Sequence, residues 1–237
     1  MRADRADKVK TAMVLAAGLG TRMRPLTLLT PKPLIEIAGR SLIDRKIDLL
    51  VSLGIERVVV NTFYLPEQIE AQLAKRKDVE IIISREEERL ETGGGVLNAL
   101  HLLGEKPFIV TSSDVVYEDE TGVAKLIDAH DPDGMGSMLL HPVRTAWGYE
   151  GSGDFDLNME KITWKQGDHA SHVFTTTQIL NPHVFANPII KSQPKMFSLR
   201  EVYNVHLPQM KGVENCCKWY HVGTVDAVDA LNNLLSA

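Results

Sequence analysis

The chain has 237 residues, 44% of them hydrophobic and 24% charged, and a formal net charge of −5. This is the composition of an ordinary globular protein able to bury a sizeable core, and its acidic balance excludes a general nucleic-acid binder. Cys216 and Cys217 are the only cysteines; neighbours in sequence seldom pair and two thiols cannot close a zinc site, so a reducing, cytoplasmic setting is expected.

The N-terminal MRADRADKVK is charged, and the apolar run after it is about five residues, too short for a signal peptide or a membrane span. TAMVLAAG reads as a buried strand ending at Gly18. Beyond a basic loop, Ser41 caps a helix with apolar positions Leu42, Ile43, Ile47, Leu50 and Leu53, stopped by Gly54. ERVVVNT is a second strand, PEQIEAQLAKR a helix with Pro66 in its first turn, and VEIIIS a third strand. ETGGG reads as a Gly-rich turn from which the helix VLNALHLLG starts. PFIVTSS is a fourth strand with Asp114 just past its end, followed by the helix TGVAKLIDAHD and the strand GSMLLHPV.

Strands alternating with helices up to about Val143 predict an α/β fold: a three-layer αβα sandwich, Rossmann-like, around a mixed, mostly parallel sheet. In such sheets ligands bind beyond the carboxyl ends of the strands, so Gly18, Asn61, Arg85 and Asp114 should face one cleft. From about Ala146 the texture changes. TAWGYEGSGDFDLNMEKITWK predicts turns and antiparallel strands, and VFTTTQILN alternates in part. NPHVF and FSLREVYNVHLPQM predict helical pieces, CKWYHVG a late strand, and TVDAVDALNNLLS a closing helix capped by Thr224. No linker separates the halves, so one domain over 1–237 is expected, with a first half of about 1–145 and a second of about 146–237.

The first loop, AAGLGTRMRPLTLLTPKPL, carries Arg22, Arg24 and Lys32 and no carboxylate. It lacks the third glycine of a dinucleotide fingerprint and the GKS/T of a P-loop. Arginines beside exposed backbone N–H groups suit a triphosphate. Lys32 lies between two prolines, so it loses less freedom on meeting an anion.

LAAGLGTRMRPLT with TPKPL resembles the signature of the sugar-1-phosphate nucleotidylyltransferases. LETGGGVLNAL, the strand ending at Asp114, FTTTQILNPHVF, FSLREVYN and WYHVGTVDAV extend the resemblance along nearly the whole chain. The LETGGG form is most similar to a short bacterial group of N-acetylmuramate-1-phosphate uridylyltransferases and heptose- or mannose-1-phosphate guanylyltransferases. The resemblance implies attack of a sugar-1-phosphate oxygen on the α-phosphorus of a nucleoside triphosphate, with pyrophosphate leaving in line. A phosphate monoester is already largely an anion near neutrality, so cations and positioning matter more than a general base. The expected ligands are therefore a nucleoside triphosphate and a sugar-1-phosphate, with Mg²⁺ (or Mn²⁺) as cofactor, no nucleic acid and no membrane. The chain is read as a monomer or homo-oligomer.

The same resemblance distributes roles, and implies a nucleotide-binding half over about 1–145 and a sugar-binding half over about 146–237. Ala16, Ala17, Gly18, Leu19, Gly20 and Thr21 approach the nucleotide. Arg22 steadies the leaving pyrophosphate, and Lys32 neutralises the α-phosphate and the incoming sugar phosphate. Glu91, Thr92, Gly93 and Gly94 form a loop near base and ribose, Asp114 holds the metal, and Gly148, Lys165 and Thr176 contact the sugar. Asn61 and Arg85 join the site from their strand-end positions alone. Plainer readings stand beside these: Arg24 and Glu91 as solvated surface groups, Asn61 and Asp114 as turn residues or caps, and Gly93 to Gly95 as a helix N-terminus.

Two departures from the family pattern stand out. Ser112-Ser113-Asp114 replaces an N-G-D-like tripeptide, and H-V-G-T at His221 replaces D-V-G-T. Imidazole is a poor Mg²⁺ ligand. Three readings of His221 are open: a softer metal ligand, a phosphate contact through N–H, or a bystander while Asp114 holds the metal with waters and phosphate oxygens. The third is preferred. The expected activity is uridylyl transfer to an N-acetylmuramate-1-phosphate-like sugar in cell-wall recycling. The alternatives are guanylyl transfer to heptose- or mannose-1-phosphate and a catalytically silent nucleotide-sugar-binding homologue.

Overall fold

The computed structural model describes residues 9–236, so most of the charged N-terminal stretch lies outside the described residues. In chain order the elements are β1 (Thr11–Leu15), β2 (Glu36–Ile37), β3 (Arg40–Ser41), α1 (Leu42–Ser52), β4 (Arg57–Thr62), α2 (Pro66–Leu73) and β5 (Glu80–Arg85). There follow α3 (Glu91–Leu103), β6 (Phe108–Ser112), β7 (Val115–Tyr117), α4 (Thr121–Ala129) and β8 (Gly136–Pro142). The later part holds β9 (Phe155–Asn158), β10 (Lys161–Trp164), β11 (His172–Leu180), α5 (Pro188–Lys191), α6 (Arg200–His206), β12 (Met210–Glu214), β13 (Trp219–His221) and α7 (Val225–Ser236).

Nine strands form one mixed sheet in the order β5-β4-β1-β6-β11-β8-β12-β10-β9. The first four are parallel, as their continuous Val and Ile runs require. The register sets Leu15 level with Asn61 on one side and Ser112 on the other, so three carboxyl ends finish at the same height. β11, from the later half, pairs antiparallel with both β6 and β8. The sheet is therefore mixed, as expected, and this long antiparallel strand separates β8 from β6. A second, two-stranded sheet pairs β13 with β7, bringing His221 opposite Val115.

Alternate residues on each strand feed two cores. Met13, Val59, Phe108 and Val110 pack on one face with Val96, Ala99 and Leu103 of α3 and Val202 of α6. Ala12, Val14, Val58, Val60 and Ile109 pack on the other with Ile43 and Ile47 of α1, Ile69 of α2 and Leu126 of α4. Ser41 caps α1 by accepting the Asp44 N–H at 3.2 Å, and Thr224 accepts the Ala227 N–H at 3.3 Å. No helix among the described residues is long and apolar enough to cross a membrane.

ETGGG is not a turn. Helix α3 begins at Glu91 and runs through all three glycines. The reason is tertiary. The Phe197 carbonyl accepts from Gly93 N–H (2.8 Å) and Gly94 N–H (3.0 Å), two of the donors a helix start leaves free. A Cβ on Gly94 would lie 2.1 Å from the Lys195 carbonyl oxygen, so only glycine admits that approach.

Candidate active site

A cleft of about 380 Å³ opens at the carboxyl edge of β1, β4 and β6. Leu15, Ala16, Ala17 and Gly18 line it from β1; Lys32 and Pro33 from the TPKPL segment; and Asn61 from β4. Glu86, Arg89, Glu91 and Thr92 line it from the approach to α3, and Ser112, Ser113 and Asp114 from β6. Gly18 has no atom within 4 Å of where a Cβ would be, so its backbone faces open space.

Two charged groups meet in this cleft. Lys32 Nζ lies 2.7 Å from Asp114 Oδ2, with the side chains 12% and 24% exposed. A tight turn over Lys32–Leu34 sets the lysine in place, with Pro31 and Pro33 buried on either side. Ser112 Oγ donates to Asp114 Oδ1 at 2.5 Å. Burial pushes the Asp114 carboxyl up, but the Lys32 ammonium, the hydrogen bonds from Lys32 and Ser112, and the nearby His221 ring bring it down to about 2. Asp114 is therefore an anion at neutral pH.

Asn61 ties the cleft walls together. Its Oδ1 accepts the Ala16 N–H at 2.9 Å, which fixes the start of the Gly18 loop. Its Nδ2 donates to Glu86 Oε1 at 2.8 Å. Burial raises the Glu86 carboxyl above its ordinary range, against the opposing bonds from Asn61 and the Leu90 N–H. Gly95 lets α3 rest on this pair, since a Cβ there would come within 2.9 Å of Glu86 Oε1. Sequence reading did not single out Glu86, Arg89 or Ser198; the acidic run Glu86–Glu88 looks like a solvated face, and only the bend after β5 turns Glu86 inward.

Several sequence-predicted residues lie elsewhere. Arg22 sits exposed on the turn Thr21–Met23, anchored by buried Met23, and is not in the cleft lining. Leu19, Gly20 and Thr21 also fall outside the lining. Gly20 takes φ +61 and packs against Thr27, whose hydroxyl donates to the Gly20 carbonyl at 2.8 Å. Arg85 is exposed and ion-paired with Glu67, facing a different groove, because its side chain leaves β5 on the solvent side. Gly93 and Gly94 give their N–H groups to Phe197, so they are not free for an anion or a ribose, whereas Glu91 and Thr92 do line the cleft.

Among the residues assigned to a sugar, Thr176 meets the site: its Oγ1 is 2.5 Å from Ser112 Oγ. Gly148 has φ +70 and stands against the His221 backbone. Lys165 donates to Ser152 Oγ at 2.8 Å and to the Asp168 carbonyl, outside the cleft lining. His221 directs Nδ1–H to the Gly148 carbonyl at 3.2 Å, which joins the turn at Gly148 to β13. The Asp114 carbonyl accepts the Val222 N–H at 3.1 Å, so the two segments are neighbours. No three His, Cys, Asp or Glu side chains among the described residues are grouped to hold a metal. A hard divalent cation that keeps several waters needs few protein carboxylates, and Asp114, ionised in the cleft, is able to supply one.

The nucleotidyl transferase family model matches residues 11–236. An N-acetylmuramate alpha-1-phosphate uridylyltransferase of Caulobacter vibrioides is 40% identical over 188 residues, 75% of this chain and 78% of its own. A mannose-1-phosphate guanylyltransferase catalytic subunit beta of Drosophila melanogaster is 42% identical over 110 residues, 44% of this chain and 30% of its own. Among solved structures, HddC from Yersinia pseudotuberculosis superposes with a TM-score of 0.77 at 22% identity, covering 96% of this chain and all of that one. A putative glucose-1-phosphate thymidylyltransferase from Bacillus anthracis gives 0.80 at 18% identity, over 94% of each chain. The shared fold, a match spanning nearly all described residues and an ion pair set in a cleft at the sheet's carboxyl edge agree: the chain belongs to the nucleotidyl transferase family.

Proposed function

We propose that the protein transfers a nucleotidyl group from a nucleoside triphosphate to a sugar-1-phosphate and releases pyrophosphate. UTP and an N-acetylmuramate-1-phosphate-like sugar are the proposed pair, used in the cytosol. The observation that carries this reading is the Lys32–Asp114 pair in the cleft beside the Gly18 backbone. The choice of uridylyl transfer rests on the 40% identity to the Caulobacter vibrioides relative.

Both substrates are polyanions, and the reaction moves negative charge onto the leaving pyrophosphate. Lys32 supplies a fixed cation for the α-phosphate and the incoming phosphate. The backbone from Ala16 to Gly18, held by Asn61, lets phosphate oxygens approach closely, and Glu91 and Thr92 lie on the nucleoside side. Arg22 lies on an exposed turn outside the cleft lining, and its proposed task at the β- and γ-phosphates comes from the family resemblance alone. A divalent metal at Asp114, Mg²⁺ on this reading, would neutralise phosphate charge.

A panel of four nucleoside triphosphates against several sugar-1-phosphates, scored by pyrophosphate release, tests the proposal. Turnover is expected with UTP and lost on Asp114→Asn. Turnover with GTP alone would overturn the uridylyl assignment and favour the guanylyl reading, which the Drosophila melanogaster relative supports. Silence of the wild type with every pair would support a non-catalytic binder, the reading that His221 in place of a carboxylate keeps open.

A further inference from the structure

The ladder between β11 and β8 is regular up to Phe174 and resumes at Gln178, leaving Thr175, Thr176 and Thr177 in a bulge. At its apex Thr176 has φ +64. Glycine enters this left-handed region freely, whereas a β-branched side chain is strained there. The two flanking threonines explain how the strain is held. Thr175 Oγ1 donates to the Leu139 carbonyl at 2.8 Å, and Thr177 Oγ1 bonds Thr111 Oγ1 at 2.7 Å and accepts from Tyr117 at 2.8 Å. Both are buried anchors. Thr176 alone turns the other way, to Ser112.

The direction of the hydrogen bonds follows from counting protons. Asp114 is ionised and paired with Lys32, so it only accepts. Ser112 has one hydroxyl proton and gives it to Asp114 Oδ1. The remaining bond must then run from the Thr176 hydroxyl to Ser112 Oγ. Strained backbone of this kind persists where the surroundings over-determine it, and it concentrates at functional sites.

We propose that Thr176 is a positioning residue: its hydroxyl orients Ser112, and Ser112 fixes the plane of the Asp114 carboxylate against the cleft. The proposal rests on the reading of Asp114 given under Proposed function. It assigns Thr176 a task other than touching the sugar, and the two tasks have different signatures. A sugar contact changes KM for the sugar phosphate. A positioning residue changes kcat with every sugar phosphate tested and changes how well Asp114 holds a cation.

Thr176→Gly removes the hydroxyl and the strain together, and Thr176→Ser keeps the hydroxyl. The Gly variant should melt at or above the wild-type temperature, lose kcat by about 10–100-fold as supporting shells of ligating carboxylates typically do, and keep its KM for the sugar phosphate. The Ser variant should stay close to wild type. In a Ser112→Ala background Thr176→Gly should cost no more, because the relay is already broken. Mn²⁺ binding to the nucleotide-free protein, read by electron paramagnetic resonance, should weaken in the Gly variant and not in the Ser variant. A Gly variant with unchanged kcat and Mn²⁺ affinity, a rise confined to KM for the sugar phosphate, or additive losses with Ser112→Ala would each overturn the proposal. A wild type that turns over nothing, with Mn²⁺ affinity still falling on Thr176→Gly, would sink the functional reading and leave the positioning role standing; no turnover and no Mn²⁺ binding would sink both.

Discussion

Lys46 of α1 is 2% exposed, has no hydrogen-bond partner for its ammonium among the described residues, and has its Nζ 4.5 Å from the centroid of the Tyr117 ring. Burial lowers it to about 7, against the opposing pull of the Asp114 charge and of Cys217. Between about pH 7 and the ordinary lysine range the unfolded chain binds the extra proton, so stability contributed at this site rises with pH over that window. Below about pH 7 the burial penalty is present in full. Lys46→Met should therefore stabilise the protein, by about 1–4 kcal/mol on the scale of buried charges replaced by apolar groups. The gain should be largest at pH 6 and shrink towards pH 10. Urea unfolding at several pH values measures it, and a gain that is flat or grows with pH would refute the assignment. Sequence alone offered little warning here: a lysine in LIDRKIDLL looks like the polar face of an amphipathic helix, and only the packing of β7 on α1 covers it.

At the scale of elements, α3 depends on its contact with the Lys195–Phe197 segment. Gly94→Ala forces a Cβ to within 2.1 Å of a carbonyl oxygen. The expected cost is about 1–3 kcal/mol of overpacking, seen as a fall in Tm of about 2–4 °C for each kcal/mol in a chain of this size. Because α3 also rests on Asn61 and Glu86, catalytic activity should fall with it. An unchanged Tm would mean that the 195–197 segment is not seated as described. The strands with continuous apolar runs were legible in the sequence, since VVVN and IIIS can be buried only in a sheet covered on both faces. MKGVE, Val115–Tyr117 and the ribbon of β2 and β3 were not, because they are short or interrupted by charge and owe their pairing to neighbours. The helix over ETGGG was hidden for a related reason: three glycines signal a turn locally, and the carbonyl that satisfies Gly93 and Gly94 belongs to Phe197, far along the chain. In the site, Lys32 and Asp114 were legible from residue type and strand-end position. The partners that orient them, Ser112 with Thr176 and Asn61 with Glu86, depend on which strands are neighbours, and that no periodicity reports.

At the scale of the molecule, β11 is the seam. It bonds to β6 of the first half and β8 beside it, while β12 bonds to β8. A chain cut at residue 145 loses β11 and leaves β6 and β8 without their shared neighbour, so it should not fold to a native-like state. Trp147, Trp164 and Trp219 all lie beyond that point, whereas most of the long helices precede it. Tryptophan fluorescence and far-ultraviolet circular dichroism should therefore report the same urea midpoint in the intact chain. Two separated midpoints would show that the halves melt independently.

The ion pair between Lys32 and Asp114 has a consequence for how ligands arrive. In the free protein each charge is the other's counter-ion. An anion that draws Lys32 away leaves Asp114 open to a cation, and a cation at Asp114 releases Lys32 to an anion. Each newcomer removes the other's competitor, so phosphate and divalent cation should assist one another by an equal factor whichever comes first. The salt bridge is thus an exchange point: either ion can enter alone against the resident counter-charge, and the second then enters more readily.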